Sequence, residues 1–398
     1  MIVLTLLCVI TPLITAETTY DVTKYGANNR GTSESTAAIK KTIETAASRG
    51  GGTVYFPPGK YLTGPIQLKS NIHIQFANNV FITFSANKNE YPPMQIRIST
   101  GAQNLDHTPL MYAIGEQNVA IRGKATLDGQ GKHWWNPKDP KQKPHFMYFF
   151  HCRNIDLEGF KLQNCPFMNV NAVHSEGITI KGISISNPFS ARNTDGINCY
   201  SCRNVHISYV SISTGDDCIA LDSGQGKTAE NIVITESHMG QGHSGVGIGS
   251  FVTAGLKNIT VSNCVFTGTD RGLYIKSART RGGIVENINY NNVVLQNIKK
   301  EGVVLNMLYD PSNHDPAMHN RNIKREPFNQ YTPVFRNIHY NRVRGNSMKN
   351  PIFFIGLPES PIANIRLDNF DVTSKEQIFL NNTKNVELNG KKLPDYTH

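Results

Sequence analysis

Tryptophan and cysteine are scarce in this sequence, with 2 and 7 among 398 residues, and only 18% of the residues are charged. No apolar run reaches the roughly 18 to 20 residues needed to cross a bilayer, which excludes a membrane-spanning helix. Lys and Arg never occur in runs longer than two. The lack of finger-type Cys/His spacing and of a basic helix carrying heptads argues against a dedicated nucleic-acid module. Hydrophobic residues make up 39% of the chain, too many for a disordered protein. The length allows two or three ordinary domains, or one long unit if the architecture is repetitive. The 40 basic residues exceed the 30 acidic ones and leave a formal charge of +10. Such a field attracts polyanions, and nucleic acid, anionic lipid and acidic polysaccharide all qualify on charge alone.

Residues 1–16 are apolar, carry no charge and end in Ile14-Thr15-Ala16, the pattern of a secretory signal peptide. Secretion of residues 17–398 as a single domain is therefore expected. Removal of the leader takes away Cys8 and leaves Cys152, Cys165, Cys199, Cys202, Cys218 and Cys264. In an oxidising compartment six cysteines can form up to three disulfides, and the sequence does not choose among the pairings or exclude buried thiols. The sequons at Asn258 and Asn381 are candidate glycan acceptors.

The dominant pattern is Asn followed by alternating apolar residues. It begins at Asn71, Asn118, Asn154, Asn204, Asn231, Asn258, Asn287, Asn337, Asn364 and Asn385. From Asn204 to Asn287 the steps are 27, 27 and 29 residues, and a degenerate copy at Gly177 divides the preceding gap into 23 and 27. Period-2 alternation makes each unit a strand with one buried face. The repeat distance stacks successive strands in parallel, as coils of a solenoid. The fold expected is all-β, a right-handed parallel β-helix whose recurring Asn can bond its equivalent one coil away. Thr32 to Ser48 has helical spacing and capping-type residues, and reads as an amphipathic helix closing the N-terminal end. Ser85 to Pro144 and Tyr309 to Gln330 interrupt the repeat and read as long loops walling a cleft. Those loops decide whether a polymer can be attacked internally or only from an end.

Stacking brings residues one period apart close together, because parallel strands lie about 4.8 Å apart. Asp195 in Asn193-Thr194-Asp195 precedes Asp216 and Asp217 by 21 and 22 residues, and Gly242-His243 follows Asp216 by 26 or so. One coil further lies Arg271-Gly272-Leu273-Tyr274-Ile275-Lys276. These groups should form a column on one face. Glycosidic hydrolysis needs one carboxyl to protonate the leaving oxygen and another to activate water. Crowded carboxylates raise at least one pKa and so supply the acid. Calcium could use the same column, but His243 and Lys276 place positive charge where the metal would sit, so neither metal nor cofactor is expected.

At these residues the chain resembles the family 28 glycoside hydrolases, the polygalacturonase group, which have the pectin-lyase-like solenoid fold. The resemblance runs from about Tyr20 to Tyr309 and more loosely to the C-terminus. It rests on Asn193-Thr194-Asp195, Gly215-Asp216-Asp217, Gly242-His243 and Ile275-Lys276. It implies an inverting hydrolase of α-1,4-galacturonan, with Asp216 as general acid and Asp195 and Asp217 activating water. It implies further that His243 tunes or orients the acid, that Asn193 and Lys276 contact substrate, and that Tyr309 lines the subsite. An acidic polysaccharide partner suits the +10 charge, with no nucleic acid or membrane involved and a monomer expected.

One position departs from the family pattern. Tyr274 stands where the signature carries Arg, and a phenol stacks on a sugar or donates one hydrogen bond but cannot offer a bidentate fork. Arg271, Arg279 and Arg281 are the candidates to supply a guanidinium from nearby. Cys218 follows the Asp pair as in many relatives, without a cysteine near Met239 to partner it. The competing readings are a hydrolase of rhamnogalacturonan or another modified pectin, for which Tyr274 would be natural, and a non-catalytic pectin-binding β-helix. A lyase would leave the Asp column unexplained.

Overall fold

The computed structural model describes residues 18–97, 103–135, 143–310 and 322–396. The proposed leader lies outside them. The described chain forms a parallel β-helix, as the repeat predicts. One sheet has 21 strands and another 11, and nearly all neighbours pair in parallel. The register runs straight through the Asn units: Ile155 pairs with Ile178, then Val205, Ile232, Ile259, Ile288, Ile338, Ile365 and Val386. Each of these side chains lies inside the coil and is almost fully buried. The inner stack is therefore one continuous apolar core, and burial of this aliphatic surface is the main force holding the coils together.

All ten repeat asparagines adopt the left-handed conformation, with φ between 53° and 61°. Asn tolerates this region better than other non-glycine residues, and its side chain both donates and accepts. Asn118 Nδ2 donates to Asn71 Oδ1 at 2.9 Å and Asn154 to Asn118 at 2.9 Å. The ladder resumes from Asn204 through Asn231 and Asn258 to Asn287, and again from Asn337 through Asn364 to Asn385. Gly177 takes the same backbone conformation, with φ 68°, without extending the ladder.

The cap helix spans Thr36–Ser48, starting four residues later than the sequence suggests. Arg30–Glu34 is instead a strand paired with Gly59–Thr63, which takes up residues 32 to 34. Helix residues Ile39, Ile43 and Ala46 are buried at the N-terminal end of the core. Ser85 to Pro144 is not one long loop. It holds a complete coil, Met111–Ile114 and Gln117–Asp128, which includes the Asn118 unit. Ahead of that coil, Pro93–Arg97 and Gln103–His107 pair as an antiparallel hairpin.

All six cysteines of the described residues are buried, unpaired thiols, so none of the allowed disulfides forms there. The Asn381 sequon is closed to modification in the folded chain, because Asn381 is only 2% exposed.

Candidate active site

The 11-stranded sheet carries the site. Four consecutive strands are Ile197–Tyr200, Ile219–Ser223, Ser244–Val252 and Arg271–Lys276. Ile197, Ile219, Val246 and Leu273 are in register and point into the core. The alternate residues Asn198, Ala220, Gly247 and Tyr274 are therefore on the outer face. Asp195, the Asp216-Asp217 pair and His243 each sit in the turn entering a strand, which is why spacing alone predicts their column.

Each of Asp195, Asp216 and Asp217 has an oxygen within 4.8 Å of one from each of the others. Like charges this close cannot all remain ionised without donors around them. The donors are present. Asn198 Nδ2 donates to Asp195 Oδ2 at 3.2 Å, and Asn193 Nδ2 to Asp216 Oδ2 at 3.2 Å. His243 Nδ1 lies 3.1 Å from Asp216 Oδ1, which also accepts the Asp217 backbone N–H. Ser244 Oγ donates to Asp217 Oδ1 at 2.6 Å, and Lys276 Nζ to Asp217 Oδ2 at 2.9 Å.

The three carboxyls differ in depth and proton affinity. Asp195 and Asp217 are 8% and 3% exposed. The Asp216 side chain is 18% exposed and that of its partner His243 is 41%. Burial, reinforced by the charges of Asp216 and Asp217, holds the Asp195 carboxyl well above the ordinary range. Burial also pushes Asp216 upward, but the His243 bond, the His243 charge and Lys276 outweigh it and bring Asp216 below its usual value. His243 is raised in return by its bond to Asp216, against the opposing effect of burial. Desolvation works to strip Lys276 of its proton, and Asp217 more than restores it. Proton affinity in this cluster is therefore higher at the deeper Asp195 than at the half-buried Asp216.

Three carboxylates can also suit a cation, but the Lys276 ammonium already supplies positive charge at Asp217. Gly247 is required beneath the cluster, because a Cβ there would lie 2.9 Å from Asp217 Oδ2.

Of the expected substrate-contacting residues, Asn193, Lys276 and Tyr309 join the cluster or flank it, with Lys276 Nζ 5.3 Å from the Tyr309 ring centroid. Arg271 does not face the carboxyls. Its Nε donates to buried Glu301 at 2.9 Å, and its guanidinium lies 5.0 Å from the Tyr274 ring. Tyr274 is 3% exposed and packs with Val304, Phe353, Ile355 and Phe379. It supports the site from beneath and offers no surface to a sugar. Sequence reasoning passed over Asn198, Ser244 and Glu301. Ser244 adjoins a recognised motif and Asn198 lies three residues beyond another, but nothing local to either marks which carboxylate it serves.

The outer face of this sheet is covered on both sides of the cluster. Ile96 of the hairpin packs on Tyr148, Val173 and Tyr200, reaching the strand that follows Asp195. On the other side Leu308, Tyr309 and Ile323 pack over Tyr274, Val304 and Phe353. Phe251 of strand Ser244–Val252 also packs against the first cover, so at that end of the sheet the two covers stand on neighbouring strands.

Comparison with known proteins places this geometry in context. The model of the glycosyl hydrolases family 28 matches residues 52–390. An endo-polygalacturonase of Pectobacterium carotovorum subsp. carotovorum is 31% identical over 300 residues, covering 70% of this chain and 73% of that protein. A crystal structure of a hyperthermoactive exopolygalacturonase from Thermotoga maritima superposes with a TM-score of 0.82 at 26% identity, covering 95% of this chain and 93% of the other. The polygalacturonase structure from Erwinia carotovora ssp. carotovora gives a TM-score of 0.71 at 25% identity, over 94% and 97% of the two chains.

Proposed function

The chain belongs to family 28 of the glycosyl hydrolases, and on that premise we propose that it is a secreted, monomeric hydrolase of α-1,4-linked galacturonan acting by inversion from a chain end. It is a pectin-degrading glycoside hydrolase; linkage, stereochemistry, mode of attack and export are the parts we add. The observation that carries the chemistry is the carboxylate trio, with one member at the mouth and two behind it.

Asp216 is the trio member with the most access to a leaving-group oxygen, which makes it the general acid. Its proton comes from the shared pool that Asp195 holds in the free enzyme, since closely coupled carboxyls titrate as a group. Binding a uronate and excluding water favour a neutral Asp216 at the mouth. Asp195 and Asp217 hold the nucleophilic water between them. Two carboxylate oxygens within 4.8 Å of each other can both accept from one water. Carboxyl groups this close are usually associated with retention, because inverting pairs stand about 6.5 to 9.5 Å apart. Here both oxygens of Asp217 already accept hydrogen bonds, from Ser244 and Lys276, which makes it a poor nucleophile toward carbon. This supports water activation, and hence inversion, as the reading. His243 orients Asp216 and sets its proton affinity.

Chain-end attack is supported by the two covers. A groove for internal cleavage must let the polymer run past the acid in both directions. Here Ile96 and its neighbours close the outer face on one side and Tyr309 with Ile323 on the other. Product lengths test this on polygalacturonate. Chain-end attack releases mono- or digalacturonate from the first minutes with slow loss of viscosity, and an early spread of oligomers with rapid thinning contradicts it. Hydrolysis of a modified pectin is the second reading, favoured by Tyr274 in place of the signature Arg, and the same digest run on rhamnogalacturonan separates the two.

A further inference from the structure

We infer that Arg281, from the turn after strand Arg271–Lys276, supplies the guanidinium that binds a uronate carboxylate beside the catalytic carboxyls. The inference rests on the uronate-hydrolase reading and names a specificity residue for it.

Three arginines lie close enough in sequence to replace the guanidinium lost at Tyr274, and the structure separates them. Arg271 is spent on Glu301, a pair whose side chains are 6% and 1% exposed. Arg279 is turned the other way, with Nε 2.6 Å from Glu359 Oε1 and Nη1 3.1 Å from Glu326 Oε1. Breaking either pair would cost a carboxylate its nearest cation, leaving Glu301 with Lys349 at 3.7 Å and Glu359 with the Glu326 backbone N–H at 3.3 Å.

Arg281 is held differently. Among the described residues it forms no ion pair. Its guanidinium lies 4.0 Å from the Phe251 ring centroid and 5.7 Å from that of Tyr309, and Nη1 donates to Ser250 Oγ. Stacking on aromatic rings fixes the plane of a guanidinium and leaves its edge free to donate. Of five N–H donors most are unspent, on a side chain that is only half-buried.

Its position is the second argument. Tyr309 is shared: Lys276 Nζ lies 5.3 Å from the same ring, and the phenol responds to the charges of Lys276, Asp217 and Asp216. A carboxylate resting at the edge of Tyr309 would meet Arg281 on one flank and the Lys276–Asp217 pair on the other. Lys276 is already balanced by Asp217 at 2.9 Å, so Arg281 provides the uncompensated positive charge. Asp222, the acid whose charge acts on Arg281, accepts the Phe251 N–H at 3.1 Å and is pushed by burial to about 7. In mildly acidic medium Asp222 is neutral and does not compete with a substrate carboxylate.

The test pairs a binding measurement with kinetics. In the Asp216→Asn background, binding of an oligogalacturonate is followed by calorimetry with Arg281 intact, as Arg281→Gln and as Arg281→Lys. Loss of a charge-assisted fork should weaken binding about 10- to 100-fold for Gln and less for Lys, while a methyl-esterified oligomer binds all three alike. In the active enzyme Arg281→Gln should raise KM on polygalacturonate by a similar factor, with kcat little changed. Equal affinity with Arg281 intact and as Arg281→Gln, or equal weakening toward acid and ester, overturns the inference. Retained binding without reducing-end release above the Asp216→Asn control would instead sink the hydrolase reading and leave the Arg281 comparison decided by calorimetry. A thermal melt of each variant excludes misfolding as the cause.

Discussion

Along one corner of the solenoid Asn204, Asn231, Asn258 and Asn287 each bond the next across a coil, whereas at the mouth of the catalytic strands Asp195, Asp216 and Asp217 crowd together without one bond between their side chains. Both columns arise from the same repeat of about one coil. The difference lies in what each side chain can give. An amide donates and accepts, so a stack of amides satisfies itself and can extend for as many coils as the chain provides. An ionised carboxylate only accepts, and its neighbour repels it. Each therefore needs a dedicated donor, and the donors here are all different: Asn198, Asn193, His243, Ser244 and Lys276. The ladder is scaffold because it repeats, and the acidic column can carry chemistry because it does not.

Substitutions in the two columns should accordingly part company. The largest effect is expected for Asp217→Asn, which removes the charge that holds Lys276 and that the proposed mechanism uses to activate water. Reducing-end release should fall at least about 1,000-fold with the fold intact by circular dichroism. Loss of less than tenfold would place the acidic column with the scaffold. His243→Ala should lower the rate about 100-fold and move the alkaline limb of the pH–rate profile upward. The sign follows from the bond that holds Asp216 low: without it the acid keeps its proton to higher pH. A slower enzyme with an unmoved limb would mean that His243 serves packing alone.

Asp222 sharpens the contrast from the side of stability. Burial raises it from 3.8 to about 7, so the native state binds its proton more tightly than the unfolded chain. Its contribution to stability is therefore lost as pH rises from near 4 through about 7. Asp222→Asn should be more stable than the parent at pH 8, by up to about 4 kcal/mol, and no more stable at pH 4. Denaturant melts at both pH values check this, and a gain of equal size at both would contradict it. The smallest effect is expected in the ladder. Asn231→Ala loses two ladder hydrogen bonds, one donated to Asn204 and one accepted from Asn258, and puts alanine at φ 58°, costing about 2 kcal/mol. Asn231→Gly should cost less, and neither should alter kcat. A loss of activity beyond the loss of folded protein would break the distinction.

The same contrast explains what could be read in advance. The ladder, the inner aliphatic stack and the positions of the acidic motifs follow from period alone, and the structure places them as the spacing requires. Which of several in-period neighbours a side chain takes is not legible, nor are pairings that leave the period. Arg271 lies in the right strand, yet Glu301, one coil on in the same 30-residue register as Leu273 and Val303, takes its guanidinium. The helix begins late because residues 30 to 34 find a strand partner at Gly59–Thr63, a contact no helical periodicity reveals. Ser85 to Pro144 looks irregular because hairpin residues without the Asn repeat precede an ordinary coil. Their use, as a cover on Tyr148 and Tyr200, appears only once the sheet face is built.

The central claim is that Asp195 and Asp217 activate water while Asp216 protonates the leaving oxygen. Proton NMR of the first product formed from polygalacturonate, recorded before mutarotation, tests it most directly. Water attack on the α-linkage yields the β-anomer first. Initial appearance of the α-anomer would mean that a carboxylate attacks carbon, and would contradict the assignment.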